Sequence, residues 1–306
     1  MKKIIVGKND VAQRLDSFLK KKYPKLSLSA LYKAIRTKQI KVNQKKAKID
    51  YHLNLGDVIE VYLNDALISK TDDKLDFLLA PPKISVVYED DNILLVNKPK
   101  GLLAHEDNVH TVDNLINRIK HYLYVKKAWD HAEENSFVPA LVNRIDRNTN
   151  GIVIAAKNAA ALKILNDKLK NREISKYYKC SVYGIIDPKQ GTLKGFLTKC
   201  DNNIVKITGK PLNQESSQII TAYQTIRHDD KTSELEVQLI TGKTHQIRAH
   251  FAAIGHPLVG ERKYTTKKYS HLNDKQYQDL TSYKVVFDFK TDAGILNYLK
   301  NKSFTI

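Results

Sequence analysis

Apolar residues near the N-terminus recur at the spacing of one helical face. The pattern predicts an amphipathic helix over residues 11–22, which Asn9 or Asp10 would cap. The residues on its buried side are Val11, Leu15, Phe18 and Leu19.

A second helix is expected after Pro24, which ends the first one. Ser27 can cap it. Leu28, Leu31 and Ile35 form its predicted buried stripe, and the exposed basic residues around it are Lys33, Arg36 and Lys38. This helix should therefore present a positive face.

Short apolar runs at residues 40–42 and 58–63 flank polar turns and predict strands, so residues 1–64 read as one compact unit. Residues 65–83 mix Asp, Lys, Ser and Thr without periodicity and end near two prolines. We predict a linker there, followed by a second domain over residues 84–306.

The second half is rich in strand patterns and poor in helical ones. A hairpin is predicted from residues 84–89 and 93–96, and further strands at 151–156, 177–184, 217–225 and 235–240. The clearest helix, 158–171, is capped by Asn158 and has Leu162, Leu165 and Leu169 on one face. Residues 120–136 are expected to form a surface excursion. Strands without regular helical crossovers favour an α+β fold with a mainly antiparallel mixed sheet.

Charge changes this picture by suggesting a partner. The chain has 51 Lys and Arg against 33 Asp and Glu, a net charge of +18, which suits a polyanion such as nucleic acid. A basic enzyme without an RNA partner would have the same surplus of positive charge.

The two cysteines, Cys180 and Cys200, form no CxxC pair, and no apolar run approaches the ~18 residues of a membrane span. We expect a cytoplasmic protein with no membrane partner.

One acidic residue stands out in the second half. Asp146 lies between Arg144 and Arg147 in the run NRIDRNTNG, residues 143–151. Neighbouring positive charge favours the ionised carboxylate, which can act as nucleophile or general base. A structural ion pair in a surface loop explains the same pattern equally well.

Other catalytic motifs fail. Gly242-Lys243-Thr244 lacks the glycine of a phosphate-binding loop, because Val237 occupies that position. His245 and His250 are five residues apart, the wrong spacing for one helical face, and we predict no metal.

Residues 12–60 resemble an S4 domain, a small RNA-binding module. The resemblance rests on RLDxxL at residues 14–19, IxVN at 40–43 and GDxI at 56–59, together with the basic second helix. It implies that this unit contacts RNA phosphates, and the residues expected to do so are Arg14, Lys33, Arg36 and Lys38.

Residues 84–260 resemble the RluA family of pseudouridine synthases. The run at 143–151 is similar to the family's catalytic loop HRLDxxTSG, with Asn143, Ile145 and Asn150 as departures. The resemblance implies that Asp146 is the catalytic residue and that Arg144 helps to hold a flipped nucleotide.

Three further segments carry the same resemblance: NKPxG at residues 97–101, KYYKCSVYG at 176–184 and GKTHQIRAH at 242–250. They imply that Tyr178 is the active-site tyrosine and that Arg248 pairs with Asp146. The other residues that the resemblance assigns to substrate binding are Thr149, Lys176, His245, Gln246 and His250.

The function implied is cofactor-independent isomerisation of uridine to pseudouridine in structured RNA, with large-subunit (23S) ribosomal RNA as the expected substrate. The carboxylate would either attack C1′ or remove the 2′ proton. A non-catalytic RNA-binding or ribosome-assembly protein on the same fold is the alternative. The sequence indicates neither the target uridine nor the oligomeric state.

Overall fold

The chain forms two separate β-sheets. The structure is a computed structural model that describes residues 1–64, 75–107, 109–201, 204–265, 268–272 and 275–306. The smaller sheet has four strands and the larger has eleven. No helix in these ranges is long and apolar enough to cross a membrane.

The N-terminal unit packs two helices on the four-stranded sheet. Its strands are β1 (Lys2–Ile5), β2 (Ile40–Val42), β3 (Lys45–Lys46) and β4 (Val58–Val61), in the antiparallel order β1-β4-β2-β3. Its helices are α1 (Leu15–Lys22) and α2 (Leu28–Arg36). Phe18, Leu31 and Ile59 are fully buried between the two layers, so the unit has a core of its own.

The start of α1 differs from the prediction. The helix begins at Leu15, not at residue 11, because Ala12 has a φ of 62° and Val11 is exposed. Neither Asn9 nor Asp10 caps it, since both side chains bond to the larger domain. In α2 the Ser27 cap is confirmed, because Ser27 Oγ accepts from Ala30 N, but the predicted buried residue Leu28 is 51% exposed.

The large sheet confirms the predicted mainly antiparallel α+β fold. Its order is β11-β10-β12-β13-β9-β14-β8-β6-β5, and only the β14–β8 pair among these neighbours is parallel. The eleven strands are β5 (Val86–Glu89), β6 (Ile93–Lys98), β7 (Ala140–Leu141), β8 (Asn150–Ala156), β9 (Ser175–Tyr183), β10 (Gln190–Lys199), β11 (Val205–Thr208), β12 (Ser217–His228), β13 (Thr232–Leu239), β14 (Leu280–Val286) and β15 (Ser303–Thr305).

In the part of the chain that the structure describes, three helices cover this sheet: α3 (Leu115–Val125), α4 (Ala159–Lys170) and α5 (Gln246–Ala253). The predicted cap of α4 is confirmed, since Asn158 Oδ1 accepts from Ala161 N. Short 3₁₀ helices occur at Lys8–Asp10, Leu75–Leu79, Ser270–Leu272 and Gly294–Leu299.

Residues 120–136 form the surface excursion that the sequence predicts only in part. Their first part completes α3, and Leu123 and Trp129 are buried in the main core. Within the predicted linker 65–83, residues 65–74 lie outside the described residues. The remainder contains a 3₁₀ helix whose Phe77 packs in that same core.

The two units meet through polar contacts. Asp10 accepts hydrogen bonds from Ser136 Oγ at 2.6 Å and from Asn135 Nδ2 at 2.9 Å. Asn9 Oδ1 accepts from Ala159 N, at the start of α4, at 3.0 Å. Because these bonds are directional, they fix one orientation of the small unit on the large one.

A close approach of two strands positions the loop before β8. Gly151 has a φ of 121°, and a Cβ built on it would lie 2.2 Å from the backbone oxygen of Ser282 in β14. A side chain is therefore excluded where the run NRIDRNTNG enters the sheet.

We expect Gly151→Ala to lower the free energy of unfolding by about 2 kcal/mol or more, because its Cβ must displace the β14 backbone. Urea denaturation measures the loss. Gly209→Ala is the matched control: Gly209 is exposed with open space around its Cβ position, and a change within about 0.5 kcal/mol is expected there. Equal effects of both substitutions would contradict this explanation.

Candidate active site

Asp146 lies in the loop between β7 and β8, and its side chain is 23% exposed. The loop turns tightly there, because Thr149 N donates to the Asp146 carbonyl at 3.1 Å. Asn143 and Asn150, the two polar residues that differ from the family motif, both hold the loop through hydrogen bonds. Asn143 Oδ1 accepts from Ile154 N at 2.8 Å, and Asn150 Oδ1 accepts from Thr281 Oγ1 at 2.9 Å.

Arg248 in α5 connects the carboxylate to a second acid. Its Nη1 donates to Asp146 Oδ2 at 2.9 Å. Its Nε and Nη2 donate to the two oxygens of Glu261 at 2.7 and 2.8 Å, a bidentate pair. The Glu261 side chain is completely buried, so the guanidinium is held in one orientation while one nitrogen remains directed at Asp146.

The charges in this group stabilise one another. Burial alone would lower the pKa of Arg248, but hydrogen bonding and attraction from Glu261 and Asp146 raise it above its ordinary value. Burial alone would raise the pKa of Glu261, but its bonds to Arg248 lower it. Both groups are therefore charged at neutral pH.

A second buried cation holds the other side of the loop. Lys98, at the end of β6, is 0% exposed, and its Nζ donates to the carbonyl oxygens of Pro99, Leu102 and Arg147 at 3.0, 2.7 and 2.9 Å. Burial lowers the pKa of Lys98 to about 8, although attraction to Asp146 opposes that shift. The residue after Asp146 is thus tied to the 99–102 segment.

His245 and Tyr178 complete the immediate surroundings of Asp146. His245 Nε2 lies 3.8 Å from Asp146 Oδ2. Tyr178 in β9 is 5% exposed, and burial raises its pKa to about 12, with a further contribution from the charge of Asp146. Its hydroxyl is therefore neutral. Lys176 points to the same side of β9, and burial lowers its pKa.

Three predicted substrate-binding residues face elsewhere. Gln246 Nε2 donates to Ile220 O and Thr221 Oγ1, and His250 Nδ1 lies 3.0 Å from the same hydroxyl. Burial lowers the pKa of His250 to about 4, so it is neutral. These bonds join α5 to β12. The third residue, Thr149, is 1% exposed, and its hydroxyl accepts from Gln278. By contrast, Arg144 is an exposed residue of the loop itself.

The predicted RNA-binding residues of the small unit separate into two groups. Lys33 and Arg36 line a groove of about 530 Å³ between α2 and the segment after β3. Arg14 and Lys38 are not among the residues lining it, and Arg14 pairs with Asp16 at 2.8 Å. Two basic residues that the sequence argument omitted, Lys46 and Lys48, also line this groove.

Sequence reasoning assigned no role to Lys98, Glu261 or Tyr264, whose hydroxyl lies 2.7 Å from His245 Nδ1. A signal existed for the first two. Lys98 lies inside the NKPxG motif, and Glu261 directly follows the glycine that ends GHPLVG at residues 255–260. Their partners are backbone carbonyls and a distant arginine, which no local pattern reveals.

Comparisons with known proteins identify the family of this chain. The family model described as RNA pseudouridylate synthase matches residues 92–253, and the S4 domain model matches residues 13–59. An uncharacterized RNA pseudouridine synthase of Mycoplasma genitalium is 34% identical over 291 residues, 93% of this chain and 88% of that protein. A ribosomal large subunit pseudouridine synthase C of Rickettsia bellii is 32% identical, with 87% of each chain covered.

The fold has solved relatives as well. The structure of human RNA pseudouridylate synthase domain containing 1 superposes with a TM-score of 0.56 at 20% identity, covering 69% of this chain and 81% of that one. The fold and the site define an RNA-modifying isomerase with an attached RNA-binding module. The chain belongs to the RNA pseudouridine synthase family, in the RluA group that carries an N-terminal S4 domain.

Glu261→Gln should lower the free energy of unfolding by about 3 kcal/mol and reduce catalytic turnover, because Arg248 loses its buried charge partner. Thermal or urea unfolding and turnover are measured together. Glu234→Gln is the matched control, since Glu234 pairs with Arg227, which is 81% exposed, and should cost less than about 1 kcal/mol. Similar losses in both variants would refute the importance assigned to the buried pair.

Turnover should decline as pH rises through about 8, because Lys98 then loses one of the three N–H donors that tie Arg147 to the 99–102 segment. The pKa of Lys98 lies below its ordinary value, so the folded protein releases this proton at lower pH than the unfolded chain does. The pH profile of turnover is obtained from initial rates measured between about pH 6.5 and about pH 9.5. In Lys98→Met the rate should be lower and this alkaline limb absent; an unchanged limb would assign it to another group.

Proposed function

We propose that this protein isomerises specific uridines of large-subunit ribosomal RNA to pseudouridine, with Asp146 as the catalytic carboxylate. The observation that carries the proposal is the Arg248–Asp146 ion pair, which joins the two most specific family motifs in one site. The relatives named ribosomal large subunit pseudouridine synthase C, from Rickettsia and Buchnera, support ribosomal RNA as the substrate.

The reaction requires a persistent anion beside the ribose. The C1′–N1 bond breaks, the uracil turns while bound, and C5 joins C1′, with no net redox change and no group donor. Asp146 supplies the anion, and the hydrogen bond from Arg248 orients it. The proposal therefore needs no cofactor.

The target base must leave the RNA stack to reach Asp146, at a cost of a few kcal/mol. We assign Arg144 to holding the RNA in that conformation, because it is exposed in the loop, two residues before Asp146. Tyr178 would contact the uracil, and its neutral hydroxyl can take part in removing the C5 proton, directly or through water. Lys176 and His245 would line the same site.

Gln246, His250 and Thr149 are assigned a positioning role instead. Their hydrogen bonds to β12 and Gln278 orient α5 and the catalytic loop, which in turn orient Arg248 and Asp146. They would affect turnover through that orientation.

We further propose that residues 1–64 act as the RNA-binding module, 65–83 as the connection and 84–306 as the catalytic domain. The groove beside α2 gathers Lys33, Arg36, Lys46 and Lys48, which would neutralise phosphates without reading sequence. Ribosomal RNA as substrate also makes the cytoplasm the expected location.

The test uses ribosomal RNA from a strain that lacks this gene. The RNA is incubated with wild-type protein or with Asp146→Ala, and pseudouridines are mapped by carbodiimide-blocked reverse transcription. We expect new stops in large-subunit RNA with wild type and none with the variant, because the carboxylate is essential.

Transfer RNA from the same strain is the control substrate. New stops in transfer RNA alone would overturn the choice of substrate while leaving the enzyme class intact. Stops produced equally by Asp146→Ala would overturn the catalytic assignment.

A further inference from the structure

Tyr264 lies next to the site and is not part of the motifs that the sequence argument used. Its Oη accepts a hydrogen bond from Val205 N, in β11, at 3.1 Å. The same oxygen lies 2.7 Å from Nδ1 of His245, and its ring stands edge to face with the imidazole at 5.6 Å. The guanidinium of Arg248 lies 5.4 Å from the centre of the Tyr264 ring. Tyr264 thus contacts both residues that face Asp146.

This arrangement has a consequence for the proton on His245. A tyrosine hydroxyl has one proton to donate, and the backbone N–H of Val205 already occupies an acceptor position on Tyr264. The hydroxyl proton can then be donated to His245 Nδ1. A neutral imidazole that accepts at Nδ1 has its own proton on Nε2.

His245 is suited to remain neutral. Burial lowers its pKa; attraction to Asp146 and Glu261 opposes this, and repulsion by Arg248 and Lys263 adds to it. Among the described residues, these four charged groups have the largest electrostatic effect on the ring, and the hydroxyl of Tyr264 contacts it. The backbone of His245 is itself constrained, because it adopts a left-handed conformation with a φ of 55° immediately before α5.

The proton on Nε2 would face the catalytic carboxylate. His245 Nε2 lies 3.8 Å from Asp146 Oδ2, and Arg248 Nη1 lies 2.9 Å from the same oxygen. Arg248 Nη1 is thus within hydrogen-bonding distance of Oδ2 and His245 Nε2 lies just beyond it, an arrangement that would leave Oδ1 for the ribose. A small movement on RNA binding would bring the histidine into hydrogen-bonding range.

We propose that Tyr264 is a positioning residue that fixes His245 in its Nε2–H form, so that His245 and Arg248 together hold Asp146 Oδ2 and present Oδ1 to the substrate. The proposal rests on the proposed function of Asp146 and adds to it the reacting oxygen and the residue that orients its second donor.

The first experiment determines which ring nitrogen of His245 carries the proton. The full-length protein is labelled with ¹⁵N-histidine, and the ring-nitrogen resonances of His245, assigned by comparison with His245→Gln, are recorded at neutral pH. We expect the Nε2–H form in wild type and a mixture of both tautomers in Tyr264→Phe. A wild-type His245 protonated on Nδ1 alone would overturn the proposal.

The second experiment measures turnover as tritium release from RNA carrying [5-³H]uridine. Tyr264→Phe removes only the hydroxyl and should lower kcat about tenfold, the effect of one lost orienting hydrogen bond, with KM nearly unchanged. Tyr298→Phe is the control: its hydroxyl bonds Asp90, outside the site, and wild-type kcat is expected.

A double-mutant cycle tests whether Tyr264 acts by orienting His245 or by a separate structural effect. The side-chain amide of glutamine can place an N–H where His245 Nε2 lies and has no tautomers, so His245→Gln should keep more activity than His245→Ala. Adding Tyr264→Phe to His245→Gln should then change kcat by less than about twofold. A full tenfold loss in both backgrounds would show that Tyr264 acts independently of His245, against the proposal. An inactive wild type would instead refute the proposed function.

Discussion

The buried ion pair between Arg248 and Glu261 is the interaction on which the site depends. Removing a carboxylate and a guanidinium from water is costly, and the bidentate geometry at 2.7 and 2.8 Å offsets that cost. The pair also uses two of the guanidinium's three nitrogens. The remaining one is thereby committed to Asp146, which lies 102 positions away in the chain. A fold that holds Glu261 in place therefore also determines where the Asp146 carboxylate is held.

The loop that carries Asp146 is fixed at two points after that residue, Arg147 and Gly151, by groups whose chemistry leaves little freedom. Lys98 gathers three carbonyl oxygens on one side, including that of Arg147. Gly151 lets β8 approach β14 on the other side, where any Cβ would overlap the backbone of Ser282. The large, mainly antiparallel sheet supplies the rigid frame for both, so the Asp146 carboxylate is held in a fixed position.

Sequence reasoning recovered the parts of the molecule that are encoded locally. The hairpin of β5 and β6, the capped helix α4 and the mainly antiparallel sheet follow from periodicity and turn residues, and all are confirmed. The helix predicted over residues 11–22 was too long at its N-terminal end. The spacing of apolar residues does not reveal that Asp10 accepts a hydrogen bond from Ser136 in the other unit.

The site was predictable only as far as its motifs reach. Arg248 and Asp146 were expected together from a family resemblance, whereas Glu261 and Lys98 act through partners that are distant or belong to the backbone. Neighbouring side chains of one motif also point in different directions: His245 faces Asp146, whereas Gln246 faces Thr221. The motif specifies the residue types, but the direction of each side chain depends on where α5 begins, which is after His245.

The most direct test of this account is the single-turnover rate of tritium release from RNA carrying [5-³H]uridine, measured for wild type and Asp146→Asn at saturating protein. The amide has the shape of the carboxylate without its charge. The account predicts a fall of about 10³-fold or more, with RNA affinity within about threefold of wild type. A rate near that of wild type would contradict it, because the anion held by Arg248 would then be dispensable.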